Sequence, residues 1–213
     1  MIVSRRNVLL GLGGAMLAGP ARAAVPEFQR LASEIANTAA DLPGIVRLGS
    51  KSADVTLYEF FDYNCPYCKH SSRDVRPLIK GDKNLAYVLV NYAVLGIPSI
   101  AATKVALAYG EKHTPQQYLR LHEALFKLHG PVDGLRALGV AVKLGGDRKA
   151  LETRGDSPEI GQIALAAARL GESLGFQATP SYLAGAEGHG GYLDLATKRE
   201  LIANLRACEK ANC

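Results

Sequence analysis

An apolar run, Val55-Thr56-Leu57-Tyr58-Glu59-Phe60-Phe61, is followed three residues later by Cys65-Pro66-Tyr67-Cys68 and then by a stretch that can be helical. The run has the length and composition of a buried strand. Pro66 suits the first turn of a helix, where a missing N–H costs nothing. The cysteine pair therefore lies at a strand-to-helix junction, with Cys65 at the helix N-terminus. Free backbone N–H groups and the positive end of the helix dipole stabilise a thiolate there. The thiolate is the form of cysteine that attacks disulfides, so the expected chemistry is thiol–disulfide exchange.

Residues 1–23 have the make-up of an export signal. Arg5 and Arg6 form a positive start, Val8 to Ala18 a short Gly-rich apolar stretch, and Ala21-Arg22-Ala23 a small-x-small cleavage site that predicts a mature start at Ala24. The apolar stretch is too short for a membrane span. Ser4-Arg5-Arg6 points to the twin-arginine route, although Val8 stands where that signal usually has Phe; general secretion is the other route. The expected location is periplasmic. Losing Arg5, Arg6 and Arg22 lowers the formal charge from +5 to +2, which is no nucleic-acid footprint. The roughly 190 residues that follow can bury one full core, with room for an inserted subdomain. All four cysteines lie beyond the signal, and an exported chain meets an oxidising compartment where disulfides persist.

Residues 26–40 (Pro26, Phe28, Leu31, Ile35, Ala39) repeat apolar positions at three- and four-residue spacing and predict an amphipathic helix, broken by Asp41-Leu42-Pro43-Gly44. Ile45 to Leu48 reads as a short strand and residues 54–61 as a central one. The helix after Cys65 is expected to reach about Lys80, with Pro77 kinking it or ending it early. Leu85 to Leu95 reads as another buried strand. Residues 99–174 then turn helical. Tyr118, Leu121, Leu125 and Leu128 follow Thr114-Pro115-Gln116-Gln117, which supplies a cap, a first-turn Pro and a closing Gln. Leu135 to Leu144 predicts a further helix, and Ile160, Ile163, Ala167, Leu170 and Leu174 another behind Ser157-Pro158. Strand signals return at Ser181-Tyr182-Leu183-Ala184, with Tyr192-Leu193 as partner strand beyond a glycine-rich turn. Thr197-x-x-Glu200 reads as the capping box of a last helix. The expected division is 1–23 signal, 24–44 an N-terminal helical segment, 45–98 plus 175–213 a sheet domain, and 99–174 a helical insertion domain.

The segment Glu59-Phe60-Phe61-Asp62-Tyr63-Asn64-Cys65-Pro66-Tyr67-Cys68-Lys69 resembles the active-site segment of DsbA-type thioredoxin-fold proteins, most of all the branch of periplasmic suppressor-of-copper-sensitivity proteins. Thr179-Pro180 matches the family's loop before a cis-proline, and the helical block sits where the family inserts its helical domain. Residues 191–196 resemble the family's final strand-to-helix passage, so the likeness spans nearly all of 45–207. The resemblance implies an α/β, thioredoxin-like fold with an inserted helical domain. It implies a protein-disulfide oxidoreductase that needs no cofactor or metal. The implied partners are cysteine-containing exported client proteins and a membrane redox partner, reductant or oxidant. Relatives in the copper-sensitivity branch use N-terminal segments to oligomerise, which makes residues 24–44 a candidate arm as well as a segment packed on its own domain.

On this footing Cys65 is the expected nucleophile, and Cys68, one turn further in, the more buried resolving thiol. Pro66, Tyr67 and Thr179 are expected to meet the client. Glu59 matches a buried acid beneath the resolving cysteine, where a carboxylate takes the thiol proton. The plainer alternative is an edge carboxylate facing solvent or a lysine, against which stands the cost of an unpaired charge in an apolar run. Pro180 is expected to be cis, with the Thr179 backbone turned toward the sulfurs; a trans Pro opening a strand is the alternative. Thr179 is the residue type of isomerase- and reductase-like relatives. Cys208 and Cys213 suit a structural staple, with a free pair or a partner-linked cysteine left open. His122 and His129 share a helix face, but a metal site needs three or four convergent ligands. Lys69, Arg73 and Arg76 read as a solvated helix face. Two other functions use the same cysteines: a copper- or zinc-binding protein, and a glutathione-linked enzyme, since Cys-Pro-Tyr-Cys also occurs in glutaredoxins. The long helical block and the export signal speak against the second.

Tyr67 stands where the most oxidising relatives carry His, and it brings no positive charge near neutral pH. Tyr67→His is therefore expected to raise the reduction potential of the cysteine pair, measured by equilibration with glutathione; an unchanged potential contradicts this account.

Overall fold

The computed structural model describes residues 23–213, so the predicted export signal, apart from Ala23, lies outside the described residues. Chain order begins with β1 (Gln29–Arg30), α1 (Ser33–Asn37), β2 (Val46–Gly49), β3 (Val55–Phe61), α2 (Pro66–Gly81) and β4 (Leu85–Asn91). The helices α3 (Ile97–Gly110), α4 (Pro115–Phe126), α5 (Gly134–Lys143), α6 (Arg148–Gly155) and α7 (Pro158–Ser173) follow, then β5 (Ser181–Ala184), β6 (Glu187–Gly190) and α8 (Leu195–Cys208). The strands of the described residues form one mixed sheet in the order β1-β6-β5-β3-β4-β2.

β3 is central. It pairs parallel with β4, from Val55 opposite Leu85 to Phe61 opposite Asn91, and antiparallel with β5. A parallel neighbour requires a crossover, and α2 supplies it. Both faces of this sheet are covered, which is why β3 and β4 are apolar almost without interruption. Leu57, Phe61, Tyr87, Leu89 and Tyr182 belong to one buried cluster with Cys68, Val75 and Leu78 of α2. Phe60, Val88, Val90 and Leu183 belong to another, with Tyr92, Phe176 and the Ala167–Leu170 stripe of α7. Since side chains alternate along a strand, Glu59 shares the face of Leu57 and Phe61, on the α2 side. The first cluster continues without a break into α3, α4 and α5 through Ala106, Tyr118, Leu121 and Ala137.

Local signals place most helix starts. Thr114 and Gln117 close both arms of a capping box, at 3.3 Å (Gln117 N–H to Thr114 Oγ1) and 2.8 Å (Thr114 N–H to Gln117 Oε1). Ser157 caps α7, with Pro158 in its first turn.

Several elements differ from the sequence expectation. The single helix over 26–40 is replaced by β1, which pairs with β6, and a helix of only Ser33–Asn37 followed by a 3-10 turn. So short a helix is marginal, and the open edge of β6 offers backbone partners instead, including Leu31 N–H to the Ala186 carbonyl at 2.9 Å. β4 ends at Asn91 rather than Leu95, because the Asp62 carboxylate takes the Val94 and Leu95 N–H groups at 2.9 Å each. Pro77 lies inside α2 without ending it; its exposed position puts the forfeited hydrogen bond on the solvent side. The partner of β5 is Glu187–Gly190, not Tyr192-Leu193. Gly188 carries no β signal, yet a Cβ there would come within 2.8 Å of Leu31 and 2.9 Å of Phe176. The cap of α8 is Asp194, whose Oδ1 accepts from Thr197 N–H at 2.8 Å, so Thr197 sits within the first turn instead of before it.

Gly171 on α7 lies against the buried Tyr92 ring, where a Cβ would stand 2.4 Å from a ring carbon. That ring is anchored by its hydroxyl, which donates to the Phe176 carbonyl at 2.8 Å. The overpacking of Gly171→Ala is expected to outweigh the gain in helix propensity and destabilise the protein by about 1–3 kcal/mol. A urea midpoint at or above the wild-type value contradicts this.

Candidate active site at the N-terminus of helix α2

Cys65 occupies the N-cap position of α2, and Pro66 opens the helix without the N–H that would otherwise be orphaned there. The Cys65 sulfur accepts from Cys68 N–H at 3.4 Å. On its other side it lies 3.0 Å from the Thr179 carbonyl, to which the thiol donates. The Thr179–Pro180 peptide bond is cis. The expected site residues Cys65, Cys68, Thr179 and Pro180 thus converge from two segments more than a hundred residues apart. Cys65 retains 5% of its surface and Cys68 none, and both are free thiols. Tyr67 points outward, 61% exposed, with its ring stacked 6.4 Å from Tyr192.

The two sulfurs are pushed in opposite directions. Hydrogen bonding from the Cys68 thiol holds Cys65 down, burial opposes it, and the Thr179 side chain and the backbone N–H groups of Cys68 and Tyr67 add to the lowering, so the pKa falls from 9.0 to about 6. Burial pushes Cys68 up, and its hydrogen bond to Cys65, the Glu59 carboxylate and the Cys65 charge push it further. The shifts separate the pair: Cys65 is the sulfur that ionises more readily, and Cys68 beneath it is the one that holds its proton.

Below Cys68, Glu59 is fully buried in β3. Its Oε2 accepts a short hydrogen bond from the Tyr87 hydroxyl, while its Oε1 is buried with no partner among the described residues. Glu59 lies opposite Tyr182 in the sheet. The Tyr182 hydroxyl bonds Ser71 Oγ at 3.0 Å, and Lys198 Nζ donates to Ser71 Oγ at 2.8 Å and to Asp74 Oδ2 at 2.9 Å. Lys198 is wholly buried. Cys68, Ser71 and Asp74 recur every three residues and therefore line the inner face of α2, forming one polar seam beneath the helix.

The loop before Cys65 is tied down just as firmly. Asp62 Oδ1 accepts from Asn64 N–H and from the Ser99 hydroxyl, each at 2.7 Å. Asn64 bonds Val132 in both directions, its Nδ2 donating to the carbonyl at 2.9 Å and its Oδ1 accepting the N–H at 2.7 Å. The sequence reading missed Asp62, Asn64, Ser71, Asp74, Tyr87, Tyr182 and Lys198. The available signals were two polar residues, Asp62 and Asn64, flanking Tyr63 just after an apolar strand, and a three-residue polar repeat from Cys68. Other candidates lie elsewhere. His122 is buried against Phe61 and Phe126, with burial pushing its pKa down to about 3. Arg76 is not free on a solvated face but forks onto Glu123 at 2.8 and 2.9 Å. Cys208 and Cys213 are joined in a disulfide at the end of α8.

The lowered Cys65 pKa has a consequence for stability. A thiol whose pKa is lower folded than unfolded stabilises the fold above its unfolded pKa, and that contribution is lost as pH falls through the folded value. The reduced protein is expected to lose about 4 kcal/mol of stability, relative to reduced Cys65→Ala, between pH 9 and pH 5. Urea unfolding of both reduced proteins checks this; parallel pH profiles contradict it.

Residues 41–204 match the family model described as Thioredoxin. A thioredoxin-like oxidoreductase from Silicibacter pomeroyi is 30% identical, with a TM-score of 0.71 over 78% of this chain and 94% of that one. The catalytic domain of Proteus mirabilis ScsC shares the fold at 20% identity, with a TM-score of 0.72 over 82% of this chain and 98% of that one. Disulfide bond formation protein D of Bacillus subtilis is 36% identical over 88 residues, which are 38% of this chain and 37% of that protein. The chain thus spans well under half the length of that relative. The family match and the cysteine pair at the α2 terminus agree: the chain belongs to the thioredoxin family, with the thioredoxin-like oxidoreductases.

Proposed function

We propose that this is an exported, periplasmic enzyme that exchanges disulfides in client proteins through Cys65 and Cys68. The observation that carries the reading is geometric: Cys65 caps α2, its sulfur accepts from Cys68 N–H at 3.4 Å and lies 3.0 Å from the Thr179 carbonyl before the cis Pro180, and Cys68 is fully buried beneath it. In the reducing direction the Cys65 thiolate attacks a client disulfide. One client sulfur bonds to Cys65 and the other leaves as a thiolate. Cys68 then attacks Cys65, passing its proton to the Glu59 carboxylate, and the second client sulfur leaves. The 65–68 disulfide that results is re-reduced by a membrane partner. Oxidation of clients is the same sequence reversed, with the membrane partner as oxidant.

Glu59 suits the proton-accepting role because its unpartnered Oε1 is buried on the face that carries α2 and Cys68. Thr179, Pro180, Pro66 and Tyr67 form the rim that a client strand meets, and the Thr179 carbonyl is the backbone acceptor nearest the sulfur. Tyr67, which brings no positive charge to the sulfur, and Thr179 before the cis proline favour an isomerase or reductase over a pure oxidase.

Insulin reduction with a thiol donor tests the proposal: wild type is expected to catalyse it, and Cys65→Ser to fall to the uncatalysed rate. Equal activity in the two proteins refutes exchange at Cys65 and leaves the metal-binding reading. The equilibrium potential against glutathione is expected between about −120 and −270 mV, the values of strong oxidase and reductase.

A further inference from the structure

Beside the cysteines, a cavity of about 480 Å³ opens between α2 and the end of α4. Its polar wall is basic: Lys69 and Arg73 come from α2, and Lys127 and His129 from the loop after α4. Its acid, Glu123, is consumed by the two-point pair with Arg76. Arg73 and Lys127 are exposed and make no ion pair among the described residues. Phe126 supplies an apolar wall. Lys69 lines this cavity and also the neighbouring groove that contains Cys65 and Pro66, so the two spaces adjoin.

These cations do not serve the sulfur. The leading influences that lower Cys65 are hydrogen bonds from Cys68, Thr179 and Tyr67, with no contribution from Lys69 or Arg73 among them. Nor do they stabilise the helix end, since Lys69 and Arg73 occupy the N-terminal half of α2, where the dipole disfavours positive charge. Lys69 Nζ is held by the Leu128 carbonyl at 3.1 Å, so the charge left for whatever enters the cavity is that of Arg73 and Lys127.

We propose that this cavity holds a side-chain carboxylate of the client polypeptide, Asp or Glu, placed a few residues from the client's reacting cysteine. This rests on the exchange reading above and specifies which clients the enzyme prefers. Lys69 and Arg73 lie four and eight residues beyond Cys65, about 6 and 12 Å along the helix axis. An extended client advances about 3.3 Å per residue, so the carboxylate belongs about two to four residues from the cysteine. The carboxylate meets Arg73 and Lys127, and its methylenes meet Phe126.

The test uses short peptides carrying one cysteine as a mixed disulfide with neutral thiopyridine, with Glu, Gln or Lys three residues to either side. Release of thiopyridone by the reduced protein gives the attack rate, and each rate is divided by that of the same peptide with glutathione. At low salt the Glu peptide is expected to react about fivefold faster than the Gln peptide, the size that one or two half-exposed ion pairs supply, and the Lys peptide slower. The Glu-to-Gln ratio is expected to fall to about one in 0.5 M salt and in Arg73→Gln/Lys127→Gln. A wild-type ratio of one at low salt, or a ratio that survives the double substitution, overturns the carboxylate site while leaving exchange intact. Failure of even the Gln peptide to react overturns the exchange reading and the carboxylate site with it.

Discussion

The structure turns on one sulfur held at a helix end. Cys65 is at once the cap of α2 and the neighbour of Thr179, so hydrogen bonds from α2 meet it on one side and a backbone carbonyl on the other. Three parts of the fold hold that position. The central strand β3 delivers the chain to its own C-terminal end, where the turn to α2 begins. Asp62 and Asn64 fasten the turn to Ser99 and Val132, which lie on the helical block. β5, paired antiparallel with β3, brings Thr179 back beside the turn. The helical block is therefore more than an appendage: through two short polar side chains it helps fix the approach to the nucleophile.

Beneath the sulfur lies a polar seam in what would otherwise be an apolar layer. Glu59, Tyr87, Tyr182, Ser71, Lys198 and Asp74 draw on β3, β4, β5, α2 and α8. Burying an ammonium costs several kcal/mol unless it is paired, and Lys198 meets that cost with Asp74 and Ser71. Removing one partner of such a pair costs about 3–5 kcal/mol. The seam ties α8 to α2 at the level of the cysteines, which couples the site's electrostatics to the docking of the last helix. A core chosen for stability alone would be apolar here; the seam surrounds the one buried carboxylate whose charge reaches Cys68.

Legibility in the sequence followed the range of the interactions. The helix α4 was readable because Thr114, Pro115 and Gln117 act within a single turn. β3 and β4 were readable because burial on both faces demands an uninterrupted apolar run. β6 was not, because its identity as a strand comes from β5 and β1 on either side and from the tight space around Gly188, none of which is local. β1 was missed for a related reason: Phe28, Leu31 and Ile35 keep a helical spacing, and the competing attraction, a free sheet edge, lies about 160 residues away. Nothing local to Asp62 marks its carboxylate as the group that ends β4, because the Val94 and Leu95 N–H groups it captures lie 32 and 33 residues on.

The sequence by itself determined the chemistry on offer: two cysteines one helical turn apart, a proline that opens the helix, a carboxylate inside an apolar strand, and a Thr-Pro pair far downstream. These follow from residue type and short spacing, which the unfolded chain already carries. Only the tertiary structure decided how the two sulfurs differ. Burial above all raises Cys68, with its hydrogen bond to Cys65 and the Glu59 carboxylate of β3 adding to it, while the lowering of Cys65 starts from its hydrogen bond with Cys68, works against burial, and draws further on Thr179 from a distant segment. Such fields exist only once the sheet has closed over α2, because an exposed thiol in water has neither the burial nor the fixed donors that separate the pair.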